Sequence, residues 1–229
     1  MSRRPEVGAG AGRGFFVSFE GPEGSGKTTQ IVRLSAALEA AGFGCVSTRE
    51  PGGTPVGERI RGLLLDLDGG PLQPETELLL FCAARRELLA SVIRPALESG
   101  RIVLCDRYAD ATRAYQGQGR GLDPARIEAV NRLATDGLEP DLTLLLDLPV
   151  ARGLARRQAV GETWNRFDAA SLAFHERVRG GYLALAEARP ERIRVIDADQ
   201  DAEQVFAAAW RALSEALDRA GLSKGPSQQ

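Results

Sequence analysis

One histidine in 229 residues leaves little room for imidazole chemistry: His175 lies in "LAFHERVRGGYL", a helical pattern with no Ser–His or Cys–His partner, and reads as a surface or packing residue. Cysteine is scarce too. Cys45, Cys82 and Cys105 are far apart, sit inside apolar runs and match no metal-ligand spacing, so they are read as reduced core residues of a cytoplasmic protein. Neither charge dominates, with 29 basic against 31 acidic residues and a net charge of -2. That balance excludes a global basic field for a nucleic-acid polymer, and any affinity for phosphate must be local. No run approaches the roughly 20 apolar residues of a membrane span. There is no N-K-x-D guanine-reading motif, no D-x-x-G segment in a switch position, no internal repeat and no Pro/Ser-rich linker across the middle of the chain. A single domain over residues 14–220 is expected, preceded by a disordered arm at 1–13, "MSRRPEVGAGAGR", and followed by a flexible tail at 221–229. The arm lacks the apolar core of a signal peptide.

What the chain does have is "FEGPEGSGKTTQIVRL" from Phe19 to Leu34. Gly21, Gly26, Lys27 and Thr28 fit G-x-x-x-x-G-K-[ST], the loop whose backbone N–H groups ring the phosphates of a nucleoside triphosphate. The context agrees. "FFVSFE" before it is short, apolar and rich in β-formers, while Ile31, Leu34, Leu38 and Ala41 after it recur at helical spacing up to a stop at Gly42. Gly21, Pro22, Glu23, Gly24, Ser25, Gly26, Lys27, Thr28 and Thr29 are therefore the expected ATP-binding segment, with the Thr28 hydroxyl a candidate Mg²⁺ ligand. For Glu23, position alone suggests orienting a lid or a water.

Four more short apolar runs, at 43–50, 101–106, 141–147 and 192–197, alternate with helical patterns. They predict an α/β fold: a five-stranded parallel sheet with helices on both faces and ligands gathered at the strand carboxyl ends. The polar motifs fall there. Asp106 closes the third run as a Walker-B-type carboxylate, a second candidate Mg²⁺ ligand, and Arg107 beside it offers a fork for phosphate oxygens. "REPGG" joins a proline-restricted Glu50 to a glycine turn. Phe81 and Arg85, four apart on a helix from about Pro74 to Glu98, project from one face, and Phe81 on this pattern serves a base pocket or the core. A water-using NTPase has little need of so many arginines near an acceptor position. A small-molecule kinase does.

At "TREPGGTP" (48–55), "LLFCAARRELL" (79–89), "DRYADATRAYQGQGRGL" (106–122) and "PDLTLLLDLP" (140–149) the chain resembles the bacterial thymidylate kinases, phosphate-loop nucleoside monophosphate kinases, from about Phe15 to Asp199. The resemblance implies phosphorylation of dTMP to dTDP with ATP and Mg²⁺, a homodimer, and no membrane or nucleic-acid partner. It places Arg49, Glu50 and Pro51 near the monophosphate and makes Arg107 a bridge between donor and acceptor phosphates. Phe81 then stacks on thymine, Arg85 reaches a base carbonyl, Thr112 and Gln116 meet the base edge, and Tyr115 packs on the sugar where a ribose carries its 2′-OH. A lid at about 151–168, "ARGLARRQAVGETWNRFD", is implied to close over ATP with Arg156, Arg157 or Arg166 as charge donor, since the loop's own "PEGS" holds no arginine. Ala111, Val160 and Asn165 depart from residues common in the family. The rivals are a kinase of another nucleotide or nucleoside and a regulatory phosphate-loop NTPase.

Overall fold

A computed structural model describes residues 13–160 and 165–222. The expected arm at 1–13, apart from Arg13, lies outside the described residues, as do lid residues 161–164 and the tail from 223 on. Five strands, β1 (Phe15–Glu20), β2 (Cys45–Arg49), β3 (Ile102–Asp106), β4 (Leu142–Asp147) and β5 (Ile193–Asp197), pair in parallel in the order β2-β3-β1-β4-β5. The sheet agrees with the sequence reading in strand number and sense.

The central strands bury nearly every residue, as unbroken apolar runs must when helices cover both faces. The edges differ. In β2, Ser47 and Arg49 are exposed, and in β5, Val195 and Asp197 are, because an edge strand is covered less completely. One core layer joins Phe15, Val17 and Phe19 of β1 to Leu34 and Leu38 of helix α1 (Lys27–Ala40) and to Leu213 of the C-terminal helix. Leu222 packs against this layer. Helix α1 ends as its sequence predicts, with Gly42 at φ 81°.

Helices α2 (Pro55–Leu65) and α3 (Pro74–Leu88) follow β2, and α3 continues through a π turn at Leu89–Ile93 into α4 (Arg94–Glu98). After β3 come the short α5 (Ala109–Thr112), a π turn at Arg113–Gly119 and α6 (Pro124–Thr135). Helix α7 (Val150–Val160) opens the lid segment, and α8 (Leu172–Ala188) and α9 (Ala202–Arg219) complete the order. The π turns interrupt the ordinary helical rise, and the second carries Tyr115 and Gln116.

The phosphate loop and α7 touch backbone to backbone. A Cβ on Gly24 would lie 2.0 Å from the Gly153 carbonyl oxygen, and one on Gly153 would lie 2.2 Å from that of Glu23. Only glycine allows this approach, which seats the first turns of the lid helix on the loop.

Candidate active site

The carboxyl ends of β1, β2 and β3 open into a cleft of about 690 Å³. Along its wall lie Glu23, Gly24, Gly26, Lys27, Thr28 and Thr29 of the loop, Arg49, Glu50 and Pro51 after β2, Phe81 of α3, and Asp106 and Arg107 after β3. Thr112, Tyr115, Gln116, Arg156 and Arg157 complete the set of sequence candidates along it. Residues as far apart as Glu23 and Arg157 thus share one cavity because a parallel sheet brings all its strand ends to one side.

Lys27 is buried and folded onto its own loop, donating to the carbonyls of Gly21 (3.2 Å) and Pro22 (3.0 Å) and to the Ser25 hydroxyl (3.3 Å). Burial, then the neighbouring Arg107, lowers its pKa to about 8, against the pull of Glu23, Asp106 and Glu20. The Thr28 hydroxyl donates to Asp106 Oδ2 at 2.9 Å. Two hard oxygen donors at the mouth of a phosphate loop suit Mg²⁺, which takes one or two protein oxygens and completes its octahedron with phosphate and water. Among the described residues no cluster of three or more His, Cys, Asp or Glu forms a rival metal site.

Arg107 is held by both its backbone and its side chain. Its φ of 70° is in the left-handed region, where a non-glycine residue costs about 1–3 kcal/mol and surrounding contacts must hold it. Its N–H donates to the Phe19 carbonyl (2.9 Å). Its guanidinium donates to the Gly21 carbonyl (3.1 Å), the Tyr182 hydroxyl (3.0 Å) and Glu23 Oε1 (2.9 Å), and it lies 4.9 Å from the centre of the Tyr115 ring. Tyr115 donates its hydroxyl to the same Glu23 oxygen at 2.9 Å. Burial pushes the Glu23 carboxyl up, but Arg107, Lys27 and the Tyr115 hydroxyl outweigh it and hold the pKa at about 2. Glu23 therefore joins the phosphate loop to Arg107 and Tyr115, a link its position in the loop did not reveal.

Of the lid arginines, Arg156 donates to the Ala198 carbonyl at 3.0 Å and Arg157 pairs with the buried Asp168, both along the cleft. Arg166 is not brought to this group. Its guanidinium reaches Glu77 at 3.5 Å and lies over the Phe167 ring, because the chain after residue 164 turns back toward α3. Arg85 is likewise absent from the cleft lining. Almost fully buried, it donates to Glu50 Oε2 (2.8 Å), Asn131 Oδ1 (2.6 Å), the Tyr108 carbonyl (3.1 Å) and the Thr112 hydroxyl (2.9 Å). Glu50 keeps its other oxygen, Oε1, buried without a hydrogen-bond partner, and burial raises its pKa despite Arg85. Arg49 pairs with Glu58 in solvent at 2.9 Å.

Several groups were missed in the sequence. Arg61 of α2 lines the cleft, donates to the Pro51 carbonyl (3.0 Å), and has its pKa lowered by burial and then by Arg49. Tyr182 of α8 donates its hydroxyl to Glu20 Oε2 (2.8 Å) while accepting from Arg107. Burial, then Asp110, raises Glu20 to a pKa of about 8. Phe167 lies 5.7 Å from Phe81 and 5.9 Å from Tyr115, closing an aromatic wall. His175 and the three cysteines are buried, in line with their reading as packing residues.

The thymidylate kinase family model matches residues 19–209. The thymidylate kinase of Thermomicrobium roseum is 55% identical over 205 residues, covering 90% of this chain and 97% of that protein. That of Syntrophotalea carbinolica is 51% identical over 212 residues, covering 90% and 98%. Among solved structures, the thymidylate kinase of Ehrlichia chaffeensis superposes with a TM-score of 0.71 at 35% identity, covering 88% of this chain and 99% of that one. Likeness over nearly the whole length, with the phosphate-loop motif, Arg107 and an aromatic wall gathered in one cleft, places this chain in the thymidylate kinase family.

Proposed function

We propose a division of labour for a chain that, as a family member, is an enzyme transferring the γ-phosphoryl of ATP to dTMP to give dTDP and ADP. The observation that carries it is the position of Arg107, bonded to the phosphate loop at Gly21 and Glu23 and lying on the ring of Tyr115. It stands where donor and acceptor halves of the cleft meet. The loop N–H groups and Lys27 hold the ATP phosphates, and Arg107 spans to the dTMP phosphate. Arg156 and Arg157 add charge from the lid, with Arg49, Glu50, Pro51 and Arg61 beside the acceptor phosphate. Thr28 and Asp106 would hold Mg²⁺, which supplies charge neutralisation on the phosphate oxygens. A phosphate monoester acceptor is already anionic at neutral pH, so alignment and charge neutralisation suffice without a strong base.

Phe81, Phe167 and Tyr115 form the apolar side of the acceptor pocket, and Thr112 and Gln116, backed by Arg85, meet the base edge. Phe81→Ala is expected to raise the KM for dTMP by a factor corresponding to roughly 1–3 kcal/mol of lost stacking, with a smaller change in kcat. Steady-state rates with dTMP, dUMP and ribothymidine monophosphate check it. An unchanged KM for dTMP assigns Phe81 to the core.

The oligomer is read as a homodimer. Helices α2, α3 and α6 pack in succession and present Leu63, Leu79 and Leu133 at 63%, 57% and 79% exposure, which a second copy of the chain would cover. Leu79→Glu combined with Leu133→Glu is expected to convert a dimer to a monomer in sedimentation velocity. A wild-type monomer at micromolar concentration contradicts the reading. Among the described residues no helix is long and apolar enough to cross a membrane, and a cytoplasmic location completes the proposal.

A further inference from the structure

Glu77 lies on α3 one turn before Phe81 and is almost completely buried. Its Oε1 accepts from Gln116 Nε2 at 2.8 Å and from Arg120 Nε at 3.2 Å. Its Oε2 accepts from Arg120 Nη2 at 3.0 Å and from Arg166 Nη2 at 3.5 Å. A carboxylate clasped by two guanidinium groups only accepts hydrogen bonds, so the end of the Gln116 amide that faces it must be the NH₂ group. The two ends of an amide look alike in shape, and it is the partner's chemistry that decides between them. Gln116 is itself buried, its backbone carbonyl held by the Leu122 N–H at 3.1 Å, and it lines the cleft. With the amine turned to Glu77, the carbonyl Oε1 is the end left for the ligand.

We infer that Glu77 is a specificity-determining positioning residue: it locks the Gln116 amide so that the acceptor pocket offers a hydrogen-bond acceptor to the base edge. The inference rests on the reading of Gln116 as a base contact. A base whose ring nitrogen carries a hydrogen between two carbonyls, as thymine and uracil have at N3, meets that acceptor with a donor. Cytosine places a bare N3 lone pair there and sets acceptor against acceptor. A flexible amide would flip and accept both bases; the buried carboxylate removes the flip. Because Arg120 and Arg166 supply the countercharge, the discriminating group needs no contact with the ligand, and Arg166 ties the last part of the lid segment to the same carboxylate.

The test uses Glu77→Gln in the full chain, with kcat/KM measured for dTMP and dCMP. The substituted amide either accepts from or donates to Gln116, so both orientations of Gln116 become available. The dTMP-to-dCMP ratio is expected to fall about tenfold or more, in keeping with the penalty for an unpaired polar group in a hydrogen-bonding site. A ratio is independent of how much protein is folded, so a loss of packing alone does not move it. Glu77→Ala, where water takes either hydrogen-bonding sense, is expected to shift the ratio the same way and serves if the isosteric variant does not accumulate. Gln116→Leu is measured in parallel and is expected to lower kcat/KM for dTMP. If Gln116→Leu lowers it while both Glu77 variants keep the wild-type ratio, the role of Glu77 is overturned and the base contact stands. If Gln116→Leu has no effect, the base contact fails and the inference with it.

Discussion

Arg107→Ala is expected to lower kcat by on the order of 10²-fold or more, about 3 kcal/mol of transition-state stabilisation, with a much smaller change in the KM for dTMP. The guanidinium is held in place before substrate arrives by Gly21, Glu23 and Tyr182 and by a left-handed backbone at φ 70°. A charge fixed in advance pays no reorganisation when negative charge moves between phosphates, so its removal is felt in the chemical step. Arg107→Lys keeps the charge and loses the fork, and is expected to recover only a minor part of the rate. Single-turnover rates separate this from slower product release. If Arg107→Ala stays folded with near-wild-type kcat, the bridging role is lost.

Lys27→Ala is expected to produce a loss of similar size, on the order of 10² or more in kcat, for a different reason. The ammonium group donates to the carbonyls of Gly21 and Pro22, and in the proposed reading it is the loop's charge for the ATP phosphates. Its pKa of about 8 also gives a pH signature. The lysine is cationic below that value and neutral above it, so kcat/KM for ATP, which reports the free enzyme, is expected to fall as pH rises through about 8. Bound phosphate stabilises the cation, moving the corresponding limb of kcat to higher pH. Lys27→Arg removes the lysine from that range and leaves only the buried Glu20 near 8, so its profile should fall less steeply there than the wild type's. A wild-type kcat/KM that holds level well above pH 8 contradicts this account of the ammonium.

The parts of the site legible in the sequence are those whose signal is local. Gly21 to Thr28 is one continuous loop with its strand and helix attached, and Asp106–Arg107 follows four apolar residues that announce a strand end. Burial on both faces made the central strands plain, whereas the half-exposed β2 and β5 take their character from their place at the sheet edge, which the chain order does not display. Partner choice was much less legible. Tyr182 looks like any helical aromatic until α8 brings its hydroxyl between Glu20 and Arg107, from 162 and 75 positions away. Arg61 shares its helix with Arg59, which gives no local reason to prefer one for the cleft. Arg85 and Arg166 read as ligand-facing arginines by type and spacing, yet Glu50 and Glu77 engage them inside the protein. Ion pairs across the sequence are decided by packing, and spacing along the chain carries almost no record of them.

In the proposed mechanism one cleft aligns ATP with dTMP and passes the γ-phosphoryl directly between them. Simultaneous measurement of ADP and dTDP, with dTMP present and omitted and with other nucleoside monophosphates in its place, tests it most directly. One dTDP is expected for each ADP, with ADP formation that collapses without an acceptor and dTMP preferred over the other monophosphates. Equal ADP formation with dTMP omitted would contradict it.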